Sequence, residues 1–183
     1  MASRIAYDPP PPAEVGAAFA AWGTGDVIKI FIRYKAPFWR ARGLAGTVIW
    51  NAPHGLYACD AGYGAVSGLV MFIGGRLARH WHGRPQAELA AFVRERLVQA
   101  LGEEAGAIVE LSVRDWTDDR WSGGAYGDNV VDPGAGDVET PLRRGFGPIR
   151  FAASELSPSY PGYIEGAIVI GRLAAREALA SSV

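Results

Sequence analysis

The run Val27-Ile28-Lys29-Ile30-Phe31-Ile32 constrains this chain more than any other segment, because it is β-branched or aromatic at every position but one. Such a run reads as a strand buried on both faces. A sheet therefore lies at the centre of the fold, and Lys29 has to be explained. An ammonium in an apolar strand is desolvated and tends to shift its pKa, which makes it a candidate functional group. Equally, a lysine near a strand end can lay its stem on apolar surface and send its charge to water. The residues alone leave both readings open.

The remaining pattern supplies partners for that strand. Ala45 to Trp50 and Val66 to Ile73 read as further strands, separated by Asn51-Ala52-Pro53-His54-Gly55 and by glycines 62 and 64. Pro85 to Leu101 carries Leu89, Phe92, Val93, Leu97, Ala100 and Leu101 at three- and four-residue steps, an amphipathic helix opened by Pro85 and stopped by Gly102. Ala107 to Arg114 alternates apolar and polar residues as a strand does. Upstream, Pro9 to Pro12 form a connector into an alanine-rich helix, Ala13 to Trp22, ended by Gly23-Thr24-Gly25-Asp26. Downstream, Trp116 to Gly147 has no clear period and is long enough to bind something. Ile149 to Ala153 reads as a short strand, and Tyr163 to Leu179 as a helix whose Gly162, Gly166 and Gly171 permit close backbone approach. The class expected is α/β, or mixed α+β, with an antiparallel component.

Composition narrows the function. With 49% hydrophobic residues among 183, the chain can bury one sizeable core, as one domain or pieces of two. Its 18 basic and 19 acidic residues are scattered, so no basic field for a nucleic acid is expected. The single cysteine, Cys59, forms no intramolecular disulfide, and a reducing, cytoplasmic setting fits. No apolar core of a secretory signal follows Met1, and Val66 to Ile73 is too short to cross a bilayer. No membrane role is expected. His54, His80 and His82 sit in loop-like or helix-start contexts, and neither a metal cluster nor a Ser/His/Asp set is apparent.

Three segments in order carry a resemblance. They are Val27-Ile28-Lys29 leading into Tyr34-Lys35-Ala36-Pro37-Phe38-Trp39; Trp116 followed by Trp121-Ser122-Gly123-Gly124-Ala125-Tyr126; and Phe151-Ala152-Ala153-Ser154-Glu155 followed by Gly162-Tyr163-Ile164-Glu165-Gly166-Ala167. Together they resemble the C-terminal portion of flavin-containing amine oxidases of the monoamine oxidase family, from about Arg4 to about Leu179. The resemblance implies a mixed sheet of that family's substrate domain joined to the C-terminal strand and helix of its FAD domain. Residues 1–26 would be a connector and short helix, 27–115 a partial substrate domain, and 116–183 the C-terminal part of the FAD-binding domain.

It also implies roles. Lys29 matches a lysine that reaches the flavin N5 through a water. Tyr126 and Tyr163 match the two walls of an aromatic cage that orients the amine. Trp116, Gly124, Ala125, Glu155 and Ile164 match positions against the cofactor. On the residues alone, two tyrosines can equally be core aromatics, and Glu155 a solvated or capping glutamate.

The chain departs from the family in three places. Ala125 stands where many members carry the cysteine that attaches flavin, so FAD would be held non-covalently. Ala153 stands in place of a glycine. No G-x-G-x-x-G is present, since Gly62-Tyr63-Gly64 and Gly145-Phe146-Gly147 both lack the third glycine. The N-terminal dinucleotide-binding half is thus absent, and FAD is expected only if that half is supplied, for instance by a second chain. The reading is a C-terminal fragment or subunit of an FAD-dependent amine oxidase, inactive alone and acting on an amine; the alternative is a non-catalytic relative serving as a binding or interaction domain.

Overall fold

A computed structural model describes residues 2–180; residue 1 and residues 181–183, the last of which belong to the expected segment 116–183, lie outside the described residues. In chain order the elements are α1 (Ala13–Ala21), β1 (Trp22–Thr24), β2 (Val27–Tyr34), α2 (Phe38–Ala41), β3 (Val48–Ile49), β4 (Leu56–Asp60), β5 (Ser67–Gly74), α3 (Arg76–Trp81), α4 (Gln86–Leu101), β6 (Glu110–Asp115), β7 (Asp128–Val130), α5 (Thr140–Arg144) and α6 (Ile164–Ala180). They form two units, one of Asp26–Ala125 and one of the residues up to Gly25 with those from Tyr126 onward. The α/β class expected from the sequence is the class observed.

The Asp26–Ala125 unit is built on an antiparallel sheet of order β3-β4-β5-β2-β6. Period-two alternation sends Ile28, Ile30, Ile32 and Tyr34 to one face, where they pack with Leu69, Met71 and Ile73 of β5 and with Leu89, Val93, Leu97 and Leu101 of α4. Those four α4 residues recur every four positions, one stripe of the helix. The expectation that β2 is buried on both faces is corrected: Phe31 is 47% exposed and Arg33 exposed, because Lys29, Phe31 and Arg33 all project from the other face. The expected strand at Ala45 to Trp50 contracts to the two residues of β3, and β4 is an additional strand. Its sequence, Leu-Tyr-Ala-Cys-Asp, has no β-branched residue to announce it.

The end of β4 is tied to α2 by one carboxylate. Asp60 accepts the indole N–H of fully buried Trp39 at 2.8 Å, two guanidinium N–H groups of Arg40 at 2.7 and 2.9 Å, and the Gly62 amide at 2.8 Å. The Arg40 hydrogen bonds foremost hold its pKa down, to about 2. The Tyr34 hydroxyl donates to the Ala105 carbonyl at 3.0 Å, and burial raises its pKa.

The other unit gathers both ends of the chain. Val15, Ala18 and Ala21 of α1 pack on Val138, Leu142 and Leu156, and β1 pairs antiparallel with β7 through Trp22↔Val130 and Thr24↔Asp128. The strand expected at Ile149 to Ala153 is not one: Ile149 makes a single bridge to Phe146, and Arg150 to Ala153 pair with no strand among the described residues. An extended segment needs a neighbour to become a strand. In α6, Gly166 is where the backbone comes close, since a Cβ there would lie 2.2 Å from the Tyr160 carbonyl oxygen. Gly171 faces nothing within 4 Å.

Candidate functional site

Lys29 sits mid-sheet, half-buried, between Phe72 of β5 and Arg114 of β6 in the strand register. Its ammonium lies 4.9 Å from the centre of the Phe31 ring and 5.4 Å from that of Phe72. Phe72 in turn stacks on Tyr57 at 5.8 Å. No carboxylate within ion-pair distance of Lys29 is found among the described residues. The two rings thus offer their π faces to this charge.

Beyond β6 the chain turns through Trp116 to Ala125, and two aspartates organise the turn. Asp115 accepts the Thr117 amide at 2.9 Å through one oxygen and His82 Nδ1 at 2.8 Å through the other. The Asp115 hydrogen bond, helped by Asp118 at 3.9 Å, raises the pKa of exposed His82. Asp119 then collects the amides of Trp121 and Ser122 and the Ser122 hydroxyl, each at 3.0 Å, on one oxygen, while its second takes Arg114 at 2.8 Å. These bonds lower the Asp119 pKa. The Arg114 guanidinium lies 4.6 Å from the Trp116 ring centre, while the Trp116 amide donates to the Val27 carbonyl at 2.9 Å and its carbonyl accepts the Asp119 amide at 3.1 Å. Gly123, at φ +76°, donates its amide to the Asp119 carbonyl at 2.7 Å, and Gly124 and Ala125 follow as buried and half-buried backbone.

In the other unit, Tyr126 is 70% exposed, Tyr163 is 72% exposed and Ile164 is 84% exposed. Tyr163 and Ile164 open α6, where the Tyr163 amide donates to the Tyr160 carbonyl and Glu165 stands in the first turn. Tyr160 itself has φ +52°, an uncommon value for a side chain of this size. Glu155 lies on the 3-10 turn Ser154–Leu156 and is engaged on both oxygens, by the Asp128 amide at 3.3 Å and the Ser154 hydroxyl at 2.8 Å. A Cβ on Gly127 would come 3.1 Å from the Glu155 carboxylate, so a bare backbone suits that position.

Beside Glu155 a cleft of about 130 Å³ is lined by Trp22, Asp128, Phe151 and Ala153. The Trp22 indole N–H is buried here without a partner, and burial, then Glu155, raises the Asp128 carboxyl pKa. Sequence reasoning missed Trp22, Asp128 and Asp119. For Asp119 a signal existed: an aspartate two and three residues ahead of Trp-Ser-Gly-Gly has the spacing of an Asx turn.

The structure thus holds the eight sequence-derived positions in two sets. Lys29, Trp116, Gly124 and Ala125 belong to the Asp26–Ala125 unit, and Tyr126, Glu155, Tyr163 and Ile164 to the other.

Comparison with known proteins identifies what shares this arrangement. The model of a family described as flavin containing amine oxidoreductase matches residues 1–179. A putrescine oxidase of Kocuria rosea is 34% identical over 179 residues, covering 97% of this chain and 37% of that protein. Flavin-containing amine oxidase B of Cavia porcellus is 30% identical over 188 residues, covering 98% and 35%. The solved structure of wild-type putrescine oxidase bound to putrescine superposes with a TM-score of 0.85 at 29% identity, covering 96% of this chain and 40% of that one. The chain spans well under half the length of the relatives it matches. No helix among the described residues is long and apolar enough to cross a membrane.

Proposed function

We propose, on the premise that this chain belongs to the flavin containing amine oxidoreductase family, that it supplies the substrate-domain sheet and C-terminal segments of an FAD-dependent amine oxidase. The observation that carries the reading is the exposure of Tyr126 and Tyr163, at 70% and 72%, and of Ile164, next to Tyr163 in sequence, at 84%. Two largely exposed rings and an exposed isoleucine are what a site awaiting a flat, partly apolar group presents. A stand-alone interaction domain would rather bury these tyrosines in its own core.

The residues present fit the flavin end of FAD. The start of α6 aims backbone N–H groups outward, a setting suited to electron-rich atoms. Near Glu155, the unpartnered Trp22 N–H adds a donor. The adenosine diphosphate end finds no such fit, because no strand–G-x-G-x-x-G–helix occurs in these 183 residues. A polypeptide segment carrying that motif, in the same protein or on a second chain, is therefore the proposed complement. Ala125 offers no thiol, so FAD is held non-covalently. When bound, the flavin supplies the two-electron acceptor for the C–H bond beside the amine nitrogen, and oxygen takes those electrons on as hydrogen peroxide. Tyr126 and Tyr163 orient the neutral amine with their π faces, and Lys29 contributes an N–H donor able to hold a water. The scattered charge and free Cys59 support a cytoplasmic setting without nucleic acid or membrane partners.

The test is reconstitution. Alone, the chain is expected to be colourless and inactive. Combined with a polypeptide bearing the dinucleotide motif, it should hold one FAD that leaves the protein on acid precipitation, and should release peroxide with an amine. An assembly that holds FAD yet oxidises no amine, or flavin retained by the precipitate, contradicts the proposal.

A further inference from the structure

We infer that His82 and the turn leaving β6 form a proton-operated latch: the doubly protonated ring holds both Asp115 and Asp118, and loss of the Nε2 proton frees Asp118 while the contact with Asp115 persists. The latch lies wholly within the Asp26–Ala125 unit and does not rest on the proposed function.

The ring is anchored from its own backbone, since His82 directly follows α3 and its amide donates to the Ala78 carbonyl at 2.8 Å. Its Nδ1 meets one Asp115 oxygen at 2.8 Å, and a carboxylate only accepts, so Nδ1 carries a hydrogen in either charge state of the ring. Its Nε2 faces Asp118 at 3.9 Å. In the charged ring both nitrogens are donors, and Asp118 is attracted. In the neutral ring Asp115 keeps the remaining hydrogen on Nδ1, so Nε2 turns a lone pair toward the Asp118 carboxylate and attraction becomes repulsion. Asp115 stays in place, because its other oxygen accepts the Thr117 amide at 2.9 Å.

Asp118 is the part able to move. It is the third residue of a turn closed by the Asp119 amide on the Trp116 carbonyl at 3.1 Å, and it stands there at φ +56°, a conformation that glycine or asparagine adopts more readily. Its side chain is 79% exposed, and among the described residues no hydrogen bond holds it. Once freed, Asp118 can return to negative φ and carry with it Asp119, which gathers the Trp121 and Ser122 amides. The other charged groups around the ring are already engaged. Asp26, just ahead of β2, pairs with Arg79 of α3; Arg84 donates to the His80 carbonyl at 2.7 Å and lies 4.0 Å from Glu88 of α4; Arg114 of β6 is held by Asp119. His80 packs edge-on against Trp81. The surrounding carboxylates, Asp115 foremost and then Asp118 and Asp26, raise the His82 pKa. The latch is therefore closed below the ordinary imidazole range and opens as pH rises through that raised value.

NMR of the full, isotopically labelled 183-residue chain from roughly pH 5 to pH 9 tests this. The ring nitrogen shifts of His82 report its charge and tautomer, and the amide-to-Hα NOE within Asp118 is strong only at positive φ. The neutral ring should carry its hydrogen on Nδ1, and the Asp118 NOE should weaken about twofold with the same midpoint as the ring. His82→Gln, which does not titrate, should leave that NOE independent of pH. Asp118→Asn tolerates positive φ and can donate to the neutral Nε2, so the NOE at residue 118 should stay strong throughout. A neutral ring with its hydrogen on Nε2, an Asp118 NOE constant through the His82 titration, or a pH response that persists in His82→Gln overturns the inference. On the proposed function this turn faces the flavin, so the flavin absorption of the FAD-loaded assembly should shift with the same midpoint. An NMR response without that shift refutes the placement of the turn against flavin and leaves the latch standing.

Discussion

Replacing Asp60 with Asn should cost the Asp26–Ala125 unit a measurable share of its stability at neutral pH and remove the part of its acid sensitivity that this carboxylate carries. In the folded chain the carboxylate drops from an ordinary 3.8 to about 2, chiefly through the Arg40 hydrogen bonds, with Trp39 and Gly62 adding to them. At 1.36 kcal/mol per pH unit that drop corresponds to about 2.4 kcal/mol. Arg40 is half-exposed, so solvent screening brings the expected contribution nearer ~1.5 kcal/mol. The sign follows from the depressed acid: the stabilisation is complete above about pH 5, begins to fall as pH approaches the ordinary value of 3.8, and is lost as pH falls through about 2. Asn keeps one acceptor for the buried Trp39 indole, whereas Asp60→Leu orphans that N–H and should cost a further ~1–3 kcal/mol. Urea unfolding of wild type and both variants at a series of pH values from neutral to pH 2.5 provides the measurement. A wild-type advantage over Asp60→Asn that is below ~0.5 kcal/mol at neutral pH, or that stays constant down to pH 2.5, would refute the reasoning.

Other outcomes follow from single contacts. His82, raised chiefly by Asp115, stabilises below the ordinary imidazole range and loses that contribution as pH rises through its raised pKa; NMR titration should show the elevation, and Asp115→Asn should remove most of it, Asp118 and Asp26 sustaining the rest. Gly166→Ala places a methyl 2.2 Å from the Tyr160 carbonyl oxygen and should lower stability by about 1–3 kcal/mol. Gly171→Ala meets nothing and should raise stability by about 0.5–1 kcal/mol, both readable by thermal unfolding. Leu97→Ala empties a fully buried position under the sheet, and denaturant unfolding should report a loss of about 2–5 kcal/mol.

The sequence was most readable where one face of an element meets a core. The α4 stripe and the Ile28-Ile30-Ile32 alternation announce themselves because periodicity reflects burial directly. It misled where burial of one face was read as burial of two: Phe31 and Lys29 look like core in a string of apolar letters, and only the register shows which neighbours they face. It also misled at Ile149 to Ala153, where strand propensity is real but a strand requires an adjacent one. At the candidate site, Lys29, Tyr126 and Tyr163 stood out through resemblance. Asp119, Trp22 and Asp128 did not, since their importance lies in which backbone groups and cleft walls surround them, and no local pattern encodes that.

The pairing of β1 with β7 has a consequence for how this polypeptide emerges from a ribosome. Thr24 and Asp128 are partners across that two-stranded ladder, so the chain leaves one unit and re-enters it at neighbouring points, with Asp26–Ala125 strung between them as an insertion. During synthesis α1 and β1 precede their partners in this unit, β7 and the segment to Leu156, by roughly a hundred residues, whereas the inserted unit completes its own sheet in the meantime. The late closure joins ends that a folded insertion already holds together, which spares much of the entropy of a hundred-residue loop. By the same topology, a two-residue Asn-Gly turn joining Gly25 to Gly127 matches the ladder's antiparallel geometry, and would convert the outer unit from a discontinuous fold into a contiguous one.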